Sequence, residues 1–253
     1  MNDSKQRFST RVEDYEKYRP SYPNSLLKKI LEHTGSATIP VVADVGSGTG
    51  IFTELLLEYG AEVFAVEPNE EMRHAAEVKL IGNSKFVSKN GSAECTGLLD
   101  DSVDLVTAAQ AFHWFNNQET KAEFARILRE NGRLALIWND RKYGEGCQAA
   151  YEDVLKKYAT DYSQVNHQNL SEQQLASFFC NNEMDTFSFI NTQEFDFEGM
   201  LGRLRSCSYC PKESSQDYQA AVAELKTAFE KYSVNGRVQF EYDCKLYIGK
   251  IQC

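Results

Sequence analysis

The stretch Val41-Val42-Ala43-Asp44-Val45-Gly46-Ser47-Gly48-Thr49-Gly50-Ile51-Phe52 decides how the rest of the chain is read. A mostly apolar run from Ile39 to Val45 predicts a buried strand. The run breaks into three glycines at alternate positions, and Phe52-Thr53-Glu54-Leu55-Leu56-Leu57 then takes on helical character. Strand, glycine turn and helix together form the opening unit of a nucleotide-binding α/β sheet. Bare glycine backbone admits a ligand where a Cβ would collide. The helix that follows offers unbonded N–H groups and a partial positive charge at its start.

A second strand supports this reading. Ala61-Glu62-Val63-Phe64-Ala65-Val66 runs into Glu67-Pro68. An acidic residue at the tip of the second strand, about twenty residues beyond the first glycine, is placed to accept hydrogen bonds from ribose hydroxyls. Its two oxygens can take both hydroxyls. The dinucleotide fingerprint is G-x-G-x-x-G. Here Gly46-x-Gly48-x-Gly50 brings the third glycine one position early, and Asp44 stands two before the first. This pattern resembles motif I of the class I S-adenosylmethionine-dependent methyltransferases. The resemblance implies S-adenosylmethionine as cofactor, held by Asp44, Gly46, Ser47, Gly48, Gly50, Glu67 and Pro68.

Composition narrows the class further. The chain has 253 residues, of which 42% are hydrophobic, enough for one large domain or a domain with a cap. The start, Met1 to Arg7, is polar and lacks an apolar signal segment, and no run reaches the length of a membrane span. These features predict a cytoplasmic protein with no membrane partner. A net charge of -10 argues against a nucleic-acid partner, because a phosphate backbone needs a broad basic face. The seven cysteines are odd in number and scattered, which favours free thiols in a reducing compartment. Cys207-Ser-Tyr-Cys210 is a lone C-x-x-C, and no second pair is spaced to complete a structural zinc site, so no metal is expected.

Before the first strand lies an aromatic arm with Phe8, Tyr15, Tyr18, Tyr22 and Arg19, closed by Pro20 and Pro23. Two readings stand: a lid over the glycine loop, with Tyr15 on the ligand and Arg19 at its carboxylate, or an arm that merely packs on the domain. A helix is predicted from Ser25 to His33, and another over residues 69–80, with Met72 near the ligand. Phe86-Val87 and Val103 to Ala109 read as strands three and four. Strand four ends in Gln110-Ala111-Phe112-His113-Trp114-Phe115. Ligands of open α/β sheets lie at the C-terminal ends of strands, so this is a site position. Trp114 and the two phenylalanines suit an apolar wall around a cationic sulfur. Gln110 is placed to orient donor or acceptor. His113 is either a base that titrates near neutrality or a packed histidine in a turn.

Thr120 to Arg129 predicts a helix ended by Asn131-Gly132, and Arg133 to Trp138 a fifth strand. At its tip Asn139 and Arg141 face an acceptor, or Arg141 pairs with Asp140 or points to water. Helices are predicted at Gln148 to Tyr158, Ser171 to Phe179, Phe197 to Leu204 and Gln216 to Tyr232. Strands are predicted at Asp185 to Phe195 and Val238 to Ile251.

The arm pattern Phe8…Tyr15-x-x-x-Arg19-Pro20-x-Tyr22-Pro23 and the string Gln-Ala-Phe-His-Trp-Phe resemble the small-molecule "type 11" methyltransferases. That group includes trans-aconitate and quinone-biosynthesis methyltransferases. The resemblance implies a Rossmann-like seven-stranded α/β sheet with helices on both faces and a helical cap. The implied divisions are an arm or lid over 1–24, a core of 25–142, 184–195 and 235–253, and cap insertions over 143–183 and 196–234. It implies that Ala93, with Glu94, holds the adenine ring. Ser92 stands where the family often has an aspartate. It implies that Trp114, Asn139, Arg203, Ser208 and Tyr209 meet a small-molecule acceptor, with His113 and Gln110 at the transferred methyl. The implied reaction is in-line methyl transfer, by a monomer or homodimer. A non-catalytic S-adenosylmethionine-binding regulator is the alternative. An NAD-dependent oxidoreductase fits the Ile51 register and the Phe-His-Trp string less well.

Overall fold

The computed structural model describes residues 12–34, 40–160, 162 and 170–253. Phe8, the polar start of the chain, Ile39 and part of the 143–183 insertion lie outside the described residues. Seven strands form one sheet in the order β3-β2-β1-β4-β5-β7-β6. Strands β1 (Val41–Val45), β2 (Glu62–Val66), β3 (Phe86–Lys89), β4 (Val103–Ala109) and β5 (Leu128–Arg141) are parallel. Strand β7 (Val238–Gly249) lies antiparallel between β5 and β6 (Asp185–Phe195). The order reverses between β1 and β4, which opens a crevice at their C-terminal ends.

The helices are α1 (Val12–Tyr18), α2 (Asn24–Thr34), α3 (Ile51–Glu58), α4 (Glu70–Leu80), α5 (Gln118–Ile127), α6 (Cys147–Tyr158), α7 (Glu172–Ala176), α8 (Phe197–Arg205) and α9 (Gln216–Tyr232). Strand β5 shows how the sheet takes up both layers. Its Ala135 and Ile137 pack with Leu26, Leu27 and Ile30 of α2 and Phe52 and Leu56 of α3. Its Leu134, Leu136 and Trp138 turn to the other face, against Phe124 and Ile127 of α5. This period of two is that of a strand buried on both sides. Each fully buried Leu or Ile contributes about 1.5–3 kcal/mol.

A third core lies beyond the sheet edge. There Tyr151 and Leu155 of α6, Met200 and Leu204 of α8 and Leu225 of α9 enclose Phe240 and Tyr242 of β7. The arm docks onto this group. The ring of Tyr18 covers Gly202, where an added Cβ would stand 2.1 Å from it. Arg205 clasps Asp14 through Nε (2.9 Å) and Nη2 (3.2 Å), and Gln193 Nε2 donates to the Tyr18 carbonyl at 3.0 Å.

Two expectations are corrected. Helix α5 ends at Ile127, and β5 starts at Leu128, before Asn131-Gly132. Those two residues form a break in register within the strand, with Asn131 at φ 68°, and not a turn that precedes it. Not all seven thiols are free: Cys180 and Cys253 form a disulfide with Cα atoms 5.2 Å apart. The backbone brings them together, since Cys180 N donates to the Lys250 carbonyl at 2.8 Å. Leu175, Phe178 and Phe179, within residues 143–183, share a core with Val106 and Leu134. No helix among the described residues is long and apolar enough to cross a membrane.

Candidate active site

Two hollows open at the crevice and meet at one strand tip. The first runs along the glycine loop and is lined by Gly46, Gly48, Glu67, Pro68, Met72, Ala93 and Glu94. The second lies under the arm and the third core and is lined by Arg19, Asp44, Ser47, His113, Asn139, Arg141, Arg203, Ser208 and Tyr209. Tyr15, Gly46, Gln110 and Trp114 line both.

The first hollow is shaped by backbone. Gly46 N and Ser47 N donate to the Val66 carbonyl at 2.9 and 3.2 Å, which folds the loop back over β2. Gly46 has φ +71°, and a Cβ there would come within 2.6 Å of the Ala111 Cβ. Gly48 has φ +57° and nothing near its missing side chain but Met72 Sδ at 3.6 Å, so its open face borders the hollow. Glu67 pins the loop from below: one oxygen accepts from Gly48 N (2.9 Å) and the other from Asn69 N (2.8 Å). Each oxygen keeps a second lone pair. Burial raises the Glu67 pKa, and the two N–H groups and Arg73 oppose that rise. Asn69 also caps α4, accepting from Met72 N at 2.9 Å, which sets Met72 in the wall. Gly50 lies in neither hollow. It starts α3 at φ +79° and packs on Ala76 and Leu80, where it turns the chain into the helix.

Asp44 is buried on β1, on the face turned to α3. Its oxygens accept from Thr53 Oγ1 at 2.7 Å and Thr107 Oγ1 at 2.8 Å. Burial pushes its carboxyl up to about 6, against the two hydroxyls. Nearby, Thr49 Oγ1 is buried without a partner among the described residues, and Thr49 lines the same hollow.

At the tip of β4, Gln110 has φ 59°, a left-handed backbone that costs a residue of this type about 1–3 kcal/mol. Its N–H donates to the Ile137 carbonyl at 2.8 Å, which holds the tip against β5. Its Nε2 donates to the Asn139 carbonyl at 3.3 Å. His113 and Trp114 follow in a short 3-10 turn (Phe112–Trp114) with ring centroids 4.8 Å apart. The expected aromatic wall is only partly formed. Trp114 and Phe115 line the hollows, but Phe112 turns into the core, against Phe178 at 4.6 Å and Trp138 at 6.3 Å.

The second hollow is assembled from distant segments. Asn139 lines it, yet its amide holds the arm: Nδ2 donates to the Ser21 carbonyl at 3.1 Å and Oδ1 accepts from Asn191 Nδ2 at 3.0 Å. Arg19 stacks on the Tyr15 ring at 4.8 Å and donates to the Ser206 carbonyl at 2.9 Å. Arg141 does not pair with Asp140, which is bound by Lys245 at 2.7 Å. Its partner is buried Glu152 on α6, which also accepts from Tyr162 OH at 2.8 Å. Arg203 is buried on α8 and donates from Nη1 to Cys207 Sγ at 3.1 Å and Ser206 Oγ at 3.4 Å. Burial works against ionisation of Cys207, but Arg203, with Arg19 and Arg141, outweighs it and draws the thiol down to about 7. Cys207 and Cys210 are both buried, and neither is in a disulfide. Glu152, Tyr143 and Tyr162 were not anticipated from the sequence. A lone Glu in an amphipathic helix carries no signal that it will pair with an arginine of the hollow.

The chain is similar to known methyltransferases along this half of the molecule. Residues 43–136 match a methyltransferase domain family. A methyltransferase-like protein of Schizosaccharomyces pombe is 38% identical over 155 residues, 61% of this chain and 59% of that protein. A methyltransferase of Mycobacterium tuberculosis is 41% identical over 134 residues, 53% of this chain and 52% of that protein. The chain thus spans about half the length of the curated relatives it matches. A candidate type II methyltransferase of Anaeromyxobacter dehalogenans has the same fold, with a TM-score of 0.69 at 21% identity, covering 93% of this chain and 99% of that one. Residues 43–136 thus carry the pattern of a methyltransferase domain, and the fold is one that a solved methyltransferase-like structure shares. S-adenosylmethionine is the cofactor that a domain of this kind implies.

Proposed function

We propose that the protein transfers a methyl group from S-adenosylmethionine to a small-molecule acceptor. The observation that carries this reading is the meeting of the two hollows at Gln110 and Trp114. A donor that fills the glycine-loop hollow and reaches past Gly46 ends where the second hollow begins. The residues suit the cofactor. Gly48 leaves an open face, Glu67 has lone pairs for ribose hydroxyls, and Asp44 and the unpartnered Thr49 hydroxyl stand where a charged amino acid end would arrive.

When bound, the cofactor supplies a methyl on a cationic sulfur, ready for in-line displacement. The protein's own residues do the rest. Tyr15 and Trp114 screen the junction from water and favour a cation beside their rings. Gln110, fixed by its strained backbone, holds the junction in one geometry. Asp44 balances the charge of the amino group, and Arg19 that of the carboxylate. His113 holds or accepts a proton for an acceptor whose pKa is high.

Titration calorimetry with S-adenosylmethionine, S-adenosylhomocysteine and NAD side by side tests the donor half. Micromolar binding of the first two, and none of NAD, is the expected result. Binding of NAD alone would overturn the proposal. Turnover with any acceptor separates an enzyme from a non-catalytic binder built on the same fold.

A further inference from the structure

The charges around the second hollow do not balance. Three guanidinium groups line it, those of Arg19, Arg141 and Arg203, while Asp44 is the sole acidic side chain lining it among the described residues. This occurs in a chain whose net charge is -10. The pairing can be followed group by group. Glu152 answers Arg141 from behind. On the proposed function, the amino group of the donor answers Asp44 and its carboxylate answers Arg19. Arg203 is left over. It is 6% exposed, and no carboxylate lies within ion-pair reach of it among the described residues. Among the described residues its Nη1 meets the Cys207 sulfur and the Ser206 hydroxyl, no hydrogen bond engages Nη2, and its Nε is buried without a partner. The Cys207 thiol, drawn towards ionisation, answers the charge of Arg203 only in part. A buried cation so weakly compensated and so incompletely bonded is costly, and the cost falls when a ligand brings an anion with acceptors for Nε and Nη2.

We propose that the acceptor carries a carboxylate and that Arg203, seconded by Arg141, binds it in the hollow beside Ser208 and Tyr209. A single guanidinium, compensated only in part by Cys207, suits a monoanion more than a multiply charged one. A planar guanidinium matches the two oxygens of a carboxylate in a fork. The walls around it, from Trp114, Tyr143, Tyr162 and Tyr209, are aromatic and suit an organic acid more than a bare inorganic anion. Among the described residues no lysine lines the hollow to serve a phosphate. This inference rests on the proposed function, since it assigns Arg19 and Asp44 to the donor.

The test is calorimetry on the full chain in three stages. S-adenosylhomocysteine is titrated first; failure there refutes the donor reading and is seen before the acceptor is addressed. The loaded protein is then titrated with benzoate and succinate, with benzamide and succinamide as uncharged matches, and with inorganic phosphate. The acids should bind and the amides should not. Arg203→Met should weaken the acids about tenfold or more while leaving S-adenosylhomocysteine affinity within about threefold. Arg203→Lys keeps the buried charge but loses the fork. It should fall between wild type and Arg203→Met, and it preserves the test if the Met variant does not fold. Four results would overturn the proposal: amides that bind as well as acids, phosphate that binds better than either acid, no binding of any acid, or a parallel loss of S-adenosylhomocysteine affinity in the Arg203 variants.

Discussion

The two hollows are built in opposite ways. The glycine-loop hollow draws on short segments next to each other in the parallel sheet: the tip of β1, the tip of β2 and the start of α4. Its working atoms are mostly backbone, and its one buried carboxylate, Glu67, is held by two N–H groups of the same loops. The second hollow adds to the β1 tip and the start of α3 the arm, the β4 and β5 tips, and α8 with the turn after it, and its working groups are mostly side chains. The first is thus fixed by the sheet itself. The second depends on docking between parts that have separate cores, and it can be altered without disturbing the sheet.

This contrast can be broken or sharpened by substitution. Gly48→Val should abolish S-adenosylhomocysteine binding, by about a hundredfold or more, while the protein stays folded. The added side chain meets only Met72 Sδ at 3.6 Å, so strain at φ +57° of about 1–2 kcal/mol is the main cost to stability. Retained affinity in calorimetry would mean that the loop face is not the donor site. Glu67→Ala should weaken the same ligand by about 1.5–3 kcal/mol, because it removes both the acceptor for ribose and the pin under Gly48.

A pH titration addresses Asp44. Its folded pKa is raised from 3.8 to about 6, so ionising it is unfavourable to the unliganded fold, and the proton is kept until the pH passes about 6. A cationic amino group beside it would pull that pKa back down. Donor affinity should therefore be full above pH 7 and fall about tenfold by pH 5. Asp44→Asn should flatten the profile; a wild-type profile that is already flat would remove Asp44 from the donor site. The smallest effect is expected on the side of the arm. In Gly202→Ala the new Cβ would start 2.1 Å from the Tyr18 ring, which must move away. The arm should become more sensitive to limited proteolysis, with a loss of about 1–3 kcal/mol in stability, while donor affinity changes only a few-fold. An unchanged digestion pattern would show that the arm does not rest on α8 in solution.

The same contrast explains what could be read from the sequence. The strand, the glycine turn, the helix and Glu67 were legible because their meaning is local: spacing alone puts Glu67 at a strand tip. Gly50 was legible as a turn but not as a residue outside the hollow, since only the packing of Ala76 and Leu80 against it decides that. Phe112 and Phe115 have the same chemistry and lie three positions apart. Which one faces the ligand depends on how the 3-10 turn is rotated over Phe178. The break in β5 was misread because Asn131-Gly132 has the chemistry of a turn, and a register shift uses the same left-handed backbone. The pairing of Arg141 with Glu152, and of Cys180 with Cys253, joins segments whose proximity comes from the tertiary fold.

The left-handed backbone of Gln110 gives this molecule a built-in exchange between robustness and skill. The residue most strained in the crevice stands where the two hollows join. Any programme that selects variants for heat resistance would be expected to find Gln110→Gly early, with a gain of up to about 1 kcal/mol. Such a variant would be a hardier protein whose junction had lost its only amide side chain from the β4 tip. Screening for melting temperature alone would thus steer away from the chemistry, and a screen of this fold has to carry an activity readout from its first round.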